Sequence, residues 1–180
     1  MKILSLIMFL LGAIPGLGAG YQFPSPSSIK SPDGKWVLTC KTPNSQTDGN
    51  HSLMLTKVGG RPFELRRFDR GCDALWSADS SRIAVTDWLA SDTSDVFIYN
   101  VSDPGSGRSV AKLFPRKAIP KEERSGHCYF EASKWLDGHR LQIRVFGHRD
   151  EAPANNFEYH YIFDLKSGTF QKAKKRPNPY

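Results

Sequence analysis

Ser77-Ala78-Asp79-Ser80-Ser81-Arg82-Ile83-Ala84-Val85 has two counterparts in the chain. Upstream stands Ser31-Pro32-Asp33-Gly34-Lys35-Trp36-Val37-Leu38, and downstream Trp135-Leu136-Asp137-Gly138-His139-Arg140-Leu141-Gln142-Ile143. Each copy joins an Asp, followed by Gly or a stand-in, to an apolar strand. Asp accepts backbone hydrogen bonds in a tight turn, and Gly takes the left-handed backbone that other residues resist. Ser80 occupies the position that favours Gly, so its turn is expected to be strained or of another type. The apolar residues after the turns (Val37, Leu38, Ile83, Ala84, Val85, Leu141 and Ile143) fit strands buried on both faces, as in stacked sheets. Leu53, Leu55, Val96, Ile98, Tyr161, Ile162 and Phe163 extend that pattern.

Three units follow from the repeat, each of four strands with tight Gly-containing turns at two of its joints. The first places strands near residues 28–31, 35–40, 52–57 and 62–68. The second places them at 74–77, 82–88, 95–101 and 109–114, with 103–107 as a turn. The third places them at 129–135, 140–146, 158–165 and 169–173. Residues 21–28 form a Pro/Ser-rich extended lead. The fold class is therefore all-β, with about three four-stranded antiparallel propeller-type blades in one domain over residues 21–180. Propellers close with about four to eight blades. Three blades imply an incomplete propeller, one completed by self-association as a homodimer, or an open stack of sheets or a sandwich.

The turn-and-strand runs at residues 76–85 and 31–35 resemble the TolB-like, WD-repeat-related propeller blade, whose usual form is W-S-P-D-G-K-x-I-A-F. Phe97-Ile98-Tyr99-Asn100 and Ile162-Phe163-Asp164-Leu165-Lys166-Ser167-Gly168 are similar to that blade's third strand and closing turn. The resemblance spans nearly all of residues 21–180. It implies a protein-interaction or scaffold module, often periplasmic, and it supplies no catalytic residues.

The 180 residues, 39% of them hydrophobic, suffice for one ordinary core. Residues 1–20 carry Lys2, an apolar run and small residues suited to cleavage, the pattern of a signal peptide. Their apolar run is shorter than the roughly 20 residues of a membrane span. The expected location is thus secreted or periplasmic, with no transmembrane segment after cleavage. The net charge of +7 concentrates in Arg61, Arg66, Arg67 and Arg70, in Arg116, Lys117 and Lys121, and in Lys172, Lys174, Lys175 and Arg176. Such clusters favour anionic surfaces or form a solvated basic exterior. No aromatic-interleaved pattern points to specific nucleic acid.

Alternating strand direction gathers the tight turns on one rim and the long loops, 41–50, 89–94, 115–126 and 147–156, on the other. Irregular loops on one rim are where binding usually resides. His51, His127 and His148 fall there with Arg149 and Asp150, and these five are the candidate ligand-binding residues. Cys72 and Cys128 begin equivalent strands of neighbouring units and are the preferred disulfide, with Cys40–Cys72 as the competing pair. No CxxC spacing supports a zinc knuckle, and no cofactor or metal is expected. Asp87, Asp92 and Asp95 match no EF-hand spacing. Asp150, Glu151 and Glu158 with His148 are the residues a hydrolase or lyase would use. The chain has no GxSxG elbow, HExxH helix, phosphate loop or Rossmann fingerprint. The expected function is a non-catalytic binding module that contacts a protein or an anionic envelope polymer. The alternatives are a polysaccharide-acting hydrolase or lyase and a structural module that self-associates.

Overall fold

A computed structural model describes residues 21–25, 28–42, 50–124, 126–149 and 156–173. The expected leader, residues 1–20, lies outside them. The repeat builds three antiparallel sheets. The first contains β2 (Ser28–Lys30), β3 (Trp36–Lys41), β4 (His51–Lys57) and β5 (Pro62–Phe68). The second contains β6 (Cys72–Trp76), β7 (Arg82–Asp87), β8 (Asp95–Asn100) and β9 (Asp103–Ser109), with β1 (Tyr21–Phe23) added beside β6. The third contains β10 (His127–Trp135), β11 (Arg140–His148), β12 (Asn156–Asp164) and β13 (Thr169–Lys172). Each sheet runs in chain order through antiparallel neighbours, as blades do.

Two turns repeat atom for atom. Ser31 Oγ donates to Asp33 Oδ1 at 2.6 Å and accepts from Trp36 N at 3.0 Å, while Lys35 N donates to Asp33 Oδ1 at 3.0 Å. Ser77 Oγ donates to Asp79 Oδ1 at 2.6 Å and accepts from Arg82 N at 2.9 Å, while Ser81 N donates to Asp79 Oδ1 at 3.1 Å. The third turn lacks the serine, and Asp137 instead accepts from His139 N and Arg140 N. These bonds, led by the one from His139 N, hold the Asp137 carboxyl down at about 2.

Gly34 has φ +71°, and Ser80 takes the same left-handed backbone at φ +60°. Its compensation crosses between sheets, because Ser80 Oγ accepts from Asp33 N at 3.0 Å. Gly138 serves another purpose. A Cβ there would stand 2.3 Å from Asp79 Oδ2, so the glycine lets the third turn press on the second. Arg82 Nε donates to Gly138 O at 2.6 Å across the same joint. The tight turns thus form a bonded row along one rim.

Burial departs from the sequence pattern in an orderly way. The second sheet is buried on both faces. Ile83, Val85, Tyr99, Cys72, Ala74 and Trp76 face the first core, and Ala84, Val96 and Ile98 face the second. The outer sheets bury one face each. Leu38, Leu53 and Leu55 close the first core, whereas Val37 is half-buried. Leu141, Ile143, Val145, Tyr161 and Phe163 close the second, whereas Ile162 is half-buried on the opposite side of its strand. The two buried edges are also covered. β1 pairs with β6, and Cys128 N and Phe130 N donate to Asp92 O and Ser94 Oγ of the 89–94 loop. That loop, expected at a binding rim, instead caps β10.

Three further expectations are corrected. Residues 103–107, read as a turn, belong to β9, where a Cβ on Gly107 would stand 2.5 Å from the Tyr99 ring. Residues 110–113, read as strand, form a helical turn, α1 (Val110–Leu113). Buried Asp95 fixes it by accepting from Ser109 Oγ at 2.5 Å and Ala111 N at 2.8 Å. The Cys72–Cys128 disulfide is not formed, because all three thiols are free. Cys72 is buried in the first core and Cys128 packs against the second, so the two belong to opposite sides of the second sheet. Cys40 packs in the first core with Cys72.

One buried ion pair links the first two sheets. Arg66 Nε donates to Asp87 Oδ2 at 2.5 Å, with Asp87 2% and Arg66 20% exposed. The guanidinium lies 3.4 Å from the Phe97 ring centre. Burial pushes the Asp87 carboxyl up, and Arg66 pulls it back.

Two outcomes follow for stability. Ser80→Ala keeps the left-handed backbone and loses the bond from Asp33 N, so it should cost about 1 kcal/mol in chemical denaturation. Ser80→Gly, which relieves the backbone while losing the same bond, should be close to neutral. Arg66→Met should destabilise by about 3 kcal/mol at neutral pH, because it strands a buried carboxylate. A carboxyl whose folded pKa lies above its unfolded value loses stability as pH rises through that interval. The deficit should therefore shrink on acidification, as Asp87 protonates.

Candidate functional site

The third sheet turns one face to its core and the other outward. Alternation along β10, β11 and β12 sends His127, Tyr129 and Glu131 outward, with Gln142, Arg144, Phe146 and His148, and then Glu158 and His160. Register sets them side by side: His127 opposite His148, Tyr129 opposite Phe146, Glu131 opposite Arg144, and Arg144 opposite His160. The rim end begins with the His127 and His148 rings, whose centres are 4.2 Å apart. Gly147 makes this junction possible, since a Cβ there would lie 1.8 Å from His127 O. Tyr129 Oη donates to Ser91 O, so it accepts from His127 Nδ1 at 2.9 Å, which places a proton on Nδ1.

Next along the face, Tyr129 stacks on Phe146 at 5.2 Å, and the Arg144 guanidinium lies 4.0 Å from the Phe146 ring centre. Arg144 Nη1 donates to Glu131 Oε2 at 3.0 Å and Nη2 to Glu158 Oε2 at 2.8 Å. Glu158 Oε1 lies 2.9 Å from His160 Nε2, and Gln142 Nε2 lies 3.3 Å from His160 Nδ1. Gln142 Nε2 can only donate, so the proton of His160 sits on Nε2 and points to Glu158. The result is a half-exposed ladder of aromatic rings with one guanidinium held between two carboxylates. Arg144 holds the Glu158 carboxyl below the usual range, and Glu158 raises Arg144 in return.

Of the five expected site residues, the structure unites His127 and His148. His51 lies in the first sheet, stacked on Phe68 at 5.2 Å with Nδ1 3.3 Å from Thr42 Oγ1. Arg149 follows His148, and its Nε is buried without a hydrogen-bond partner among the described residues. Asp150 lies outside the described residues. Tyr129, Glu131, Gln142, Arg144, Phe146 and His160 were missed as a set. The signal was present in the alternation of aromatic and charged residues with apolar ones along β10 to β12.

The chemistry narrows accordingly. A glycosidase acid needs a raised carboxyl, and Glu158 is held low by a guanidinium. Asp87 is spent on Arg66, and Asp95 on Val96 N, Ser109 and Ala111, so these acids do not converge on a cation. The basic clusters are partly neutralised: Arg66 pairs with Asp87 and Arg67 with Glu64. Burial raises all three cysteine thiols, which leaves none activated as a thiolate.

No family model matches the chain, and no curated protein matches it. Solved structures do. The chain is similar to the apo AtxE2 isopeptidase at TM-score 0.54 and 14% identity, covering 91% of this chain and 33% of that one. It is similar to the S527A variant of AtxE2 with Astexin3-dC4 bound at TM-score 0.55 and 13% identity, with the same coverage. TolB from Acinetobacter baumannii matches at TM-score 0.44 and 16% identity, over 81% of this chain and 31% of that one. The chain spans about a third of the length of these structures. At such identities the AtxE2 likeness establishes the fold alone.

The ladder makes a direct prediction. Arg144→Met should move the Glu158 carboxyl up toward its ordinary range, read by carboxyl NMR titration. Both partners are substantially exposed, so stability should fall by no more than about 1 kcal/mol.

Proposed function

We propose that the chain is a non-catalytic interaction module that presents the outward face of its third sheet, from the His127–His148 pair to His160, to a protein partner in the cell envelope or outside the cell. The observation that carries this reading is the aromatic and guanidinium ladder formed by Tyr129, Phe146 and Arg144. Tyr, Phe and Arg are enriched at protein interfaces and anchor their binding energy. A sheet holds them rigidly, which lowers the entropic cost of docking. The two carboxylates on Arg144 outweigh its charge, so the face suits a protein better than an anionic polymer.

The outward faces do not favour self-association. The first sheet presents Val37, Thr39, Ser52, Met54, Thr56, Glu64 and Arg67, and the third presents the ladder. Val58, Phe63, Leu89, Leu113 and Leu136 are the exposed large apolar residues among those described, and they are scattered through loops, β5 and α1. The isopeptidase activity named for the structural neighbours brings nothing to this chain, since the likeness is one of fold.

The test is site-specific photo-crosslinking in the native host. A photoreactive phenylalanine at Phe146 should yield a discrete adduct with one protein, weakened at least about tenfold by Arg144→Glu. The same probe at Thr39, on the outward face of the first sheet, should not yield it. No discrete adduct at Phe146, or the same adduct from both positions, would overturn the reading. An adduct with a second copy of this chain would transfer the function to self-association.

A further inference from the structure

On the opposite rim, where the tight turns gather, the second and third sheets part to leave a cleft of about 300 Å³. Three cations line it. Arg82 opens β7 from the second sheet, Arg108 lies in β9 opposite Ile98, and Lys166 stands in the β12–β13 turn of the third sheet. Asn100 and Ser106 add neutral polar groups, and Ile98 and Leu165 form an apolar floor continuous with the second core.

The cations are placed by the fold rather than by charge pairing. Arg82 is half-buried and fixed through Nε to Gly138 O, which orients its guanidinium while leaving its terminal nitrogens without a hydrogen bond among the described residues. Among the described residues none of the three makes an ion pair. The neighbouring carboxylates keep their charge while bonded to local turns, with Asp79 attracting Arg82 and Asp164 attracting Lys166. Asp79 accepts from Ser77 and Ser81, Asp164 accepts from Lys166 N and Ser167 N, and Asp103 accepts from Ser106. Two guanidiniums and an ammonium line one concavity. Guanidinium forks match the paired oxygens of a tetrahedral oxyanion, and an ammonium adds a point charge. An apolar floor beside them suits the carbon skeleton of an ester.

We infer that this cleft is a binding site for a phosphate or sulfate monoester, with Arg82, Arg108 and Lys166 holding the oxyanion and Ile98 and Leu165 contacting the attached group. It lies on the rim opposite the His127–His148 end of the proposed protein-binding face, and it does not depend on that reading.

The test is NMR titration of the full chain at low ionic strength with glucose 6-phosphate, inorganic phosphate and inorganic sulfate, with glucose and potassium chloride as controls. The phosphate ester should shift the Arg82, Asn100 and Arg108 amides saturably. Arg108→Gln and Lys166→Gln, both at exposed positions, should each weaken it about tenfold. Tyr129→Ala, on the protein-binding face, should not change it. Tighter binding of the ester than of inorganic phosphate supports contact with the apolar floor, and equal binding supports recognition of the free oxyanion alone. A sulfate response of equal strength assigns the site to tetrahedral dianions generally. No saturable shift, or a shift unaltered in both glutamine variants, would overturn the inference.

Discussion

The structure depends on one constraint: the second sheet has to be buried on both faces. Ile83, Ala84 and Val85 in β7 project alternately into two different cores, so neither outer sheet can be removed without exposing half of the middle one. The polar groups trapped in that sheet then become its connectors. Asp87 reaches Arg66 of the first sheet, and Thr86 Oγ1 takes the amide of Ala132 from the third. Ser94 both donates to and accepts from Phe130, and Trp135 Nε1 donates back to Leu75 O. Buried polar groups are costly unless bonded, so each bond also fixes the spacing of neighbouring sheets.

The same constraint sets the middle sheet apart from the outer two. One sheet is buried on both sides, and the two outer sheets bury one face each. The edges that would line a channel are covered as well, β6 by β1 and β10 by the 92–94 segment. Those coverings leave two surfaces with distinct chemistry. The outward face of the third sheet offers aromatic rings and a guanidinium held between two carboxylates, and the cleft between the tight turns is lined by three cations. The basic clusters that stand out in the sequence do not line this cleft, which draws instead on Arg82, Arg108 and Lys166.

Much of the fold was legible because its signals are local. The Asp33 and Asp79 turns depend on side chains two residues apart, and the left-handed backbone at Ser80 was readable from its alignment with Gly34. The double burial of Ile83, Ala84 and Val85 was readable as an unbroken apolar run. Other features depend on distant partners and were not. Residues 103–107 carry the composition of a turn, yet they form strand, with Gly107 passing over Tyr99. Cys72 and Cys128 occupy equivalent positions, yet sheet stacking sends them into separate cores. His51 shares its composition with His127 and His148 but belongs to the first sheet. The cleft draws on residues 82, 98–108 and 165–166, whose convergence is set by how the sheets part.

Amide hydrogen exchange measured by mass spectrometry tests the central claim, that the second sheet is the common wall of two cores, most directly. Peptides covering β7 and β8 should exchange slowest and together, at the rate set by global unfolding, while β5 and β13 at the outer edges exchange earlier. Exchange of β7 and β8 at the same rate as the outer sheets, or separate unfolding of the first and third sheets with the second left protected alone, would contradict it.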